Sequence, residues 1–167
     1  MSGSPEAGDD LVTVELRDLP VPVQARMQEH SDELVRELTL IAEQMHQRGD
    51  AHGLPVRLVE LITTLTSEYS MFTVEQEQRL ADAARSGVER IDLTYRIPPS
   101  AAGAAADMAA VLAEADDYCR AGRHLLTLAT PADLVTYRNW FLDQFVDQIA
   151  GRPPVSWPEY VLRTPAG

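Results

Sequence analysis

A histidine and two glutamates are spaced so that one helical face would carry all three. His30, Glu33 and Glu37 follow one another at steps of three and four residues, and such steps bring side chains together on a helix. We call these three residues the acidic face. Imidazole and carboxylate groups placed in this way could hold a metal ion, with Glu33 as a general base. Because catalytic zinc takes three protein ligands and no second His-Glu pair follows on another helix, we expect neither a metal nor a catalytic residue here.

A second group of reactive side chains lies near residue 120. A cysteine and a histidine could form a nucleophile and its base, but Gly122 lies between Cys119 and His124 and leaves their geometry open. Two adjacent acids near the end of a predicted helix oppose the helix dipole. We expect these acids to be surface charges beside a buried Cys119. The group consists of Asp116, Asp117, Tyr118, Cys119 and His124.

The last predicted helix carries a tyrosine, an arginine and a tryptophan close together. Tyr137, Arg138 and Trp140 are of residue types that protein interfaces favour, because they combine a large contact area with directional hydrogen bonds. A second interpretation stays open, in which Trp140 belongs to the core and Arg138 to a charged rim. We predict that Arg138 and Trp140, together with the acidic face, contact a protein partner.

The composition excludes several classes of chemistry. The chain has 167 residues, with 26 acidic against 14 basic side chains and a net charge of −12, and every basic residue is an arginine. Without lysine there is no Schiff-base amine and no phosphate-loop lysine. Since the negative charge repels phosphate backbones and the arginines are scattered along the chain, we expect no nucleic-acid partner.

The sequence predicts neither membrane insertion nor export. The only long apolar region, residues 101–115, is mostly alanine and is interrupted by two acids, so it is too weakly hydrophobic to span a bilayer. The single cysteine, Cys119, cannot form an internal disulfide, and no charged-then-apolar leader precedes Leu11. We therefore expect a cytoplasmic protein.

Apolar periodicity divides the chain into strands and helices. Alternation predicts strands at residues 11–20 and 91–97, which we expect to pair and to lie on the helices. An apolar stripe predicts a helix from Val23 to Gly49, whose seam needs a long partner helix from this chain or from a second copy in a homodimer. Cap and proline signals predict four further helices. The first begins at Pro55, the second runs from Thr73 to Gly87, the third runs from Ala101 to Ala121, and the last follows a capping Thr130.

These elements predict a mainly α fold (α+β) with about five helices and a small sheet of two or three strands. Residues 11–167 are enough to bury one core and are expected to form a single domain. Residues 1–10 lack periodicity, which predicts a disordered tail. The stretch 124–130 could be a third short strand or a buried loop. The aromatic tail around Trp157 and Tyr160 is expected to dock on the body of the protein.

Three stretches resemble a family of small actinobacterial regulators. They are LRDLPVPVQARMQEHSDELVREL, IDLTYRIPPSAA, and ADDYCRAGRHLLTLATPADLVTYRNWFLDQFVDQIAG with the PPVSWP tail that follows it. The resemblance covers nearly the whole chain from Leu11. Members of this family look like companions of anti-sigma-factor antagonists and histidine-kinase-like ATPases in signalling gene clusters. The resemblance implies a partner-switching or sensory regulator rather than an enzyme.

Residues 59–64, VELITT, also resemble the ELVTN-type helix of the histidine-kinase-like ATPase superfamily. In that superfamily the asparagine holds magnesium. Here Thr64 stands in its position, and neither an Asp-x-Gly-x-Gly turn nor a glycine-rich lid follows in the sequence. We therefore expect no ATP hydrolysis.

The sequence thus predicts a non-enzymatic signalling protein that acts by protein-protein contact and needs no cofactor. The partner implied by the resemblance is an anti-sigma-factor antagonist or an ATPase regulator, and negative charge on this chain would steer basic partners toward it. Two alternatives remain open. One is a small-molecule sensor with an apolar pocket lined by residues such as Met108, Tyr118 and Phe141. The other is a metal-dependent hydrolase that uses His30 and Glu33.

Overall fold

The computed structural model describes residues 10–49, 52–121 and 129–164. Within these ranges the chain is mainly helical with a two-stranded antiparallel sheet, which confirms the predicted fold class. The predicted tail, apart from Asp10, and most of the stretch 124–130 lie outside the described residues. The elements are β1 (Val12–Pro20), α1 (Val21–Gln47), α2 (Leu54–Arg85), β2 (Arg90–Ile97), α3 (Ala101–Arg120), α4 (Ala132–Ile149) and α5 (Trp157–Arg163).

The two predicted strands pair with each other. Their register runs from Val12 opposite Ile97 to Pro20 opposite Arg90. The alternation that predicted them puts Val14 and Leu16 fully inside. The register shifts between Leu16 and Leu19. There Asp18 adopts a positive φ of 54°, a conformation that aspartate tolerates better than most residues, and donates its backbone N–H to Asp92 Oδ1 at 2.7 Å.

A side chain from α4 binds the outer edge of β1. The N–H of Glu15 donates to Gln148 Oε1 at 2.9 Å, and Gln148 Nε2 donates to the carbonyl oxygen of Glu15 at 2.8 Å. One amide side chain therefore makes both hydrogen bonds that a neighbouring strand would make at this position.

The first helix begins directly after the sheet and packs on α2. Pro22 lies in its first turn, where a missing N–H costs nothing. Leu34 and Leu38, on the predicted stripe, are buried against Leu54 and Leu58 of α2. For Leu34 and Leu38 the partner helix is therefore α2 of the same chain. The homodimer stays a prediction.

The prediction of separate helices at Pro55 and Thr73 was wrong, because α2 runs unbroken for 32 residues. No glycine or proline occurs between Pro55 and Gly87, so no residue in that stretch ends the helix. Thr73 was interpreted as a cap, but its hydroxyl lies in mid-helix and donates to Glu77 Oε1 at 3.0 Å. A threonine whose hydroxyl is satisfied locally does not interrupt the backbone ladder.

The aromatic tail docks on α4, as predicted, and does so as a short helix. The ring of Trp157 lies 5.6 Å from the rings of both Tyr137 and Trp140 in edge-to-face contacts. Ser156 and Glu159 form a capping box at the start of α5. Among the described helices, none combines the length and apolarity needed to cross a membrane.

Two leucines on α1 test the packing of this helix. Leu38 is fully buried, whereas Leu40 is 57% exposed. We expect Leu38→Ala to lower the free energy of unfolding by about 2–5 kcal/mol, because it leaves a cavity between α1 and α2. Leu40→Ala should change it by less than about 0.5 kcal/mol. Urea unfolding measures both values, and similar losses in the two variants would contradict the packing described.

Candidate functional site

Three segments meet at a buried ion pair. Arg138 of α4 donates from Nη2 to Asp116 Oδ2 of α3 at 2.8 Å, and the side chains are only 7% and 4% exposed. Thr130, which precedes α4, donates its backbone N–H and its hydroxyl to Asp116 Oδ1 at 3.1 and 2.6 Å. Both carboxylate oxygens of Asp116 are therefore occupied.

His30 extends these contacts to α1. Its Nε2 lies 3.1 Å from Thr130 Oγ1. Because the single hydroxyl proton of Thr130 is donated to Asp116, this hydroxyl can only accept from the imidazole, so Nε2 carries a proton. We call His30, Asp116, Thr130 and Arg138 the buried polar network. It ties α1, α3 and α4 to one another.

The network keeps Asp116 ionised. Burial alone would raise the pKa of Asp116, but the hydrogen bonds from Thr130 and Arg138 and the charge of the guanidinium outweigh burial and hold the pKa below its usual value. The carboxylate and the guanidinium together carry no net charge. Each one therefore depends on the other, since a single buried charge without its partner is strongly unfavourable.

The distance between Thr130 and His30 is also that of a nucleophile and its base. The proton of the threonine hydroxyl is, however, directed to Asp116, and Thr130 is only 7% exposed. The arrangement therefore holds the segment before α4 in place rather than presenting a reactive oxygen.

A cavity of about 750 Å³ opens between the four long helices and β2. Its size is within the range of sites for small organic ligands. Most of its wall is apolar and comes from several elements at once. Typical lining residues are Leu65 and Leu80 of α2, Met108 and Leu112 of α3, and Phe141 and Phe145 of α4. We call it the central cavity.

Several polar groups of this wall are hydrogen-bonded to another side chain. The hydroxyl of Tyr137 donates to Gln24 Oε1 at 2.6 Å, and the hydroxyls of Tyr69 and Ser100 lie 2.9 Å apart. Burial raises the pKa of both Tyr95 and Tyr137. These phenols therefore remain neutral at physiological pH.

A second cavity of about 530 Å³ adjoins the first and has His30 and Thr130 in its wall. The two cavities share Met108, Leu112 and Arg138 among their lining residues. Within the described part of the chain, Arg138 Nε is buried without a hydrogen-bond partner. Arg138 thus lies at the junction of the two cavities with an unused donor.

Comparison with known proteins assigns no function to this chain, so the cavities and the buried polar network are the basis for proposing one. No family model, curated protein or solved structure matches this chain. The resemblance to actinobacterial regulators therefore stays a prediction.

The predicted contact surface at Arg138 and Trp140 has to be corrected, because both side chains are buried. Trp140 is fully inaccessible, and its Nε1 donates to the carbonyl oxygen of Val155 at 2.8 Å. Arg138 is 6% exposed. The segment that ends in α5 covers Trp140, and Asp116 of α3 binds Arg138, so this side of α4 faces inward.

The three residues of the acidic face share one side of α1, as their spacing predicted. Glu33 is exposed, whereas His30 and Glu37 are half-buried. Leu40, seven residues after Glu33, continues this side and is 57% exposed. Among the described residues, no group of three His, Cys, Asp or Glu side chains is placed to hold a metal.

The group near residue 120 contains the residue that the sequence misassigned. Asp116 was expected at the surface but is buried in the ion pair, whereas Asp117 is exposed and pairs with Arg120. Cys119 is half-buried, and burial together with the charges of neighbouring acids raises its pKa, so it is a neutral thiol. The geometry of Cys119 and His124, which the sequence left open, cannot be compared, because His124 lies outside the described residues. The unfavourable position of Asp116 in the helix dipole was the one signal that could have marked it.

The pocket predicted for a sensor is present in part. Met108 and Phe141 line the central cavity, as expected. Tyr118 instead packs against the core cluster formed by α1, α2 and α3.

The ion pair predicts an asymmetry between single and double variants. Arg138→Met should lower the free energy of unfolding by about 3–5 kcal/mol, because it leaves the carboxylate of Asp116 buried without a positive partner. The double variant D116N/R138M should lose clearly less, since no charge remains buried. Arg26→Met serves as the control, because the pair of Arg26 with Asp133 is about half exposed and should contribute less than about 1 kcal/mol. Urea unfolding of the four proteins measures these differences, and equal losses for Arg138→Met and Arg26→Met would contradict the prediction.

Proposed function

We propose that this chain is a non-enzymatic regulatory protein of bacterial signalling, which senses a small, mostly apolar molecule between its helices and acts on a protein partner in the cytoplasm. The central cavity carries this proposal. It is a half-open, mostly apolar space of about 750 Å³, which is of the size that ligands occupy.

The position of the cavity links a bound ligand to the arrangement of the helices. α1 packs on α2 and α3 packs on α4, and all four helices line the cavity. A ligand in the cavity would contact both helix pairs at once. It would therefore favour whichever spacing of the two pairs gives it the most contacts, and this difference is what a partner could detect.

The pairing of the polar groups favours binding over catalysis. A catalytic acid, base or nucleophile has to exchange protons or electrons with a substrate. In the wall of the central cavity Tyr137 is bonded to Gln24, and Arg138 is bonded to Asp116, which lies behind the wall and is also bonded to Thr130. These contacts position the walls of the cavity.

The acidic face, extended by Leu40, is the surface that we propose for the partner. An exposed leucine beside Glu33 offers an apolar anchor next to negative charge, and the net charge of −12 favours a basic partner. The resemblance to actinobacterial regulators supports a partner of the anti-sigma-factor antagonist or ATPase-regulator type. In this proposal Arg138 acts from inside the protein and does not touch the partner.

Filling the central cavity should abolish ligand binding. Ala104 lines the cavity, whereas Ala106 lies exposed on the same helix. We expect the uncharged dye Nile red to bind the wild type and Ala106→Phe with a blue shift of its emission. Ala104→Phe should weaken this binding at least about tenfold, because its ring takes up space that the dye needs.

Thermal unfolding serves to confirm that both phenylalanine variants fold. Equal affinity of the dye for all three proteins would show that it binds elsewhere and would contradict the proposal. Natural ligands are then sought as metabolite fractions that raise the melting temperature of the wild type but not that of Ala104→Phe.

Charge reversal on α1 tests the partner surface. We expect a specific protein to co-purify with the wild type from the native host, and to be lost with the double variant E33R/L40E. The control is E60R/E68R, which changes two exposed acids of α2 and shifts the net charge further than E33R/L40E does, so a loss specific to E33R/L40E does not come from net charge. Mass spectrometry identifies the retained protein, and its retention should fall as salt rises. Equal retention by both double variants would exclude the acidic face as the contact.

A further inference from the structure

We infer that the ligand of the central cavity is an uncharged, mostly apolar molecule that presents a carbonyl or ether oxygen to Arg138. This inference rests on the proposed function, because it names the class of molecule that the cavity would take. Its basis is the place of Arg138 at the junction of the two cavities, together with the charges around this side chain.

The guanidinium of Arg138 has more donors than the protein uses. It carries five N–H bonds, and the structure pairs Nη2 with Asp116 Oδ2 at 2.8 Å. Nε is buried without a hydrogen-bond partner in the described part of the protein. Buried donors are seldom left in this state, because an unmade hydrogen bond costs free energy. Because Arg138 lines both cavities, a ligand oxygen at their junction would give this guanidinium a further acceptor.

The charges near Arg138 favour an acceptor that has no charge. Asp116 is held ionised against the guanidinium, so the pair is neutral before any ligand binds. A carboxylate ligand would bring a second negative charge close to Asp116, and Glu77 lines the same cavity. Because Asp116 is buried, this repulsion is strongest at its carboxylate, whereas Glu77 is exposed to solvent and contributes less. A neutral oxygen accepts the same hydrogen bond without this repulsion.

Gln24 provides a second donor in the same wall. Tyr137, the residue before Arg138, donates its hydroxyl proton to Gln24 Oε1 at 2.6 Å. The amide hydrogens of Gln24 are therefore available as donors, and Gln24 lines the central cavity. The polar part of the wall thus supplies N–H groups from two helices. An apolar molecule that carries one or two oxygens complements this pattern.

Three probes that share one ring system separate the alternatives. They are naphthalene, 2-acetylnaphthalene and 2-naphthoate, which offer no acceptor, a neutral acceptor and a charged acceptor. Each is titrated at pH 7 against protein loaded with Nile red, and the displacement gives its Kd. We expect 2-acetylnaphthalene to bind about fivefold to tenfold more tightly than naphthalene, as one additional hydrogen bond predicts. We expect 2-naphthoate to bind no more tightly than naphthalene.

The variant Arg138→Lys tests the assigned donor. Lysine keeps a positive charge opposite Asp116. Its compact ammonium group, however, lacks the widely spaced N–H donors of a guanidinium, so it cannot bond Asp116 and a ligand at the same time. We expect the preference for 2-acetylnaphthalene over naphthalene to fall to within about twofold. Arg26→Lys, at an exposed pair outside the cavity, is the control and should keep the wild-type preference.

The outcomes distinguish this inference from the proposed function. If 2-naphthoate binds most tightly, if naphthalene and its ketone bind the wild type equally, or if Arg138→Lys keeps the preference, the inference is overturned while the cavity remains a ligand site. The comparison of the three probes in the wild type needs no variant to fold. If neither Nile red nor any probe binds, the proposed function fails and the inference fails with it.

Discussion

The ion pair between Asp116 and Arg138 is the contact on which the rest of the structure depends. It fixes α3 against α4, and through Thr130 and His30 it fixes both to α1. A buried ion pair seldom adds stability over well-packed apolar residues of the same volume, because removing two charges from water is costly. We therefore interpret its role as specifying which faces of the helices meet. The central cavity lies where these helices do not meet.

Local patterns were enough to predict the strands and most of the helices. The alternation in β1 and β2 and the apolar stripe of α1 each reflect contacts that repeat along one element. The failures came from two threonines interpreted as caps. Thr73 lies inside α2, and Thr130 uses its hydroxyl on Asp116 instead of the N-terminus of α4. A threonine hydroxyl near the start of a helix ordinarily bonds the backbone of that helix. Only the tertiary structure shows when the hydroxyl bonds a side chain from another helix instead.

The candidate site was harder to predict, because it depends on residues that are far apart in the sequence. Asp116 and Arg138 belong to different helices, and apart from the unfavourable place of Asp116 in the helix dipole neither position carries a signal of burial. Composition favoured Arg138 and Trp140 as surface anchors, since the same residue types serve in interfaces and in cores. The acidic face was predicted correctly as one side of α1, because it needs only helical spacing. The cavity itself arises where four helix surfaces fail to close, and no single segment encodes that gap.

The amide of Gln148 on the outer edge of β1 affects how copies of this protein behave toward each other. A ribbon of two strands has two open margins, and each can act as a template on which another polypeptide extends the sheet. Gln148 occupies the N–H and the carbonyl of Glu15 that such a strand would need. At high concentration this margin is thereby protected against β-augmentation and the fibrils that can follow from it. A single polar side chain thus occupies the backbone groups of Glu15 on this margin of the described sheet.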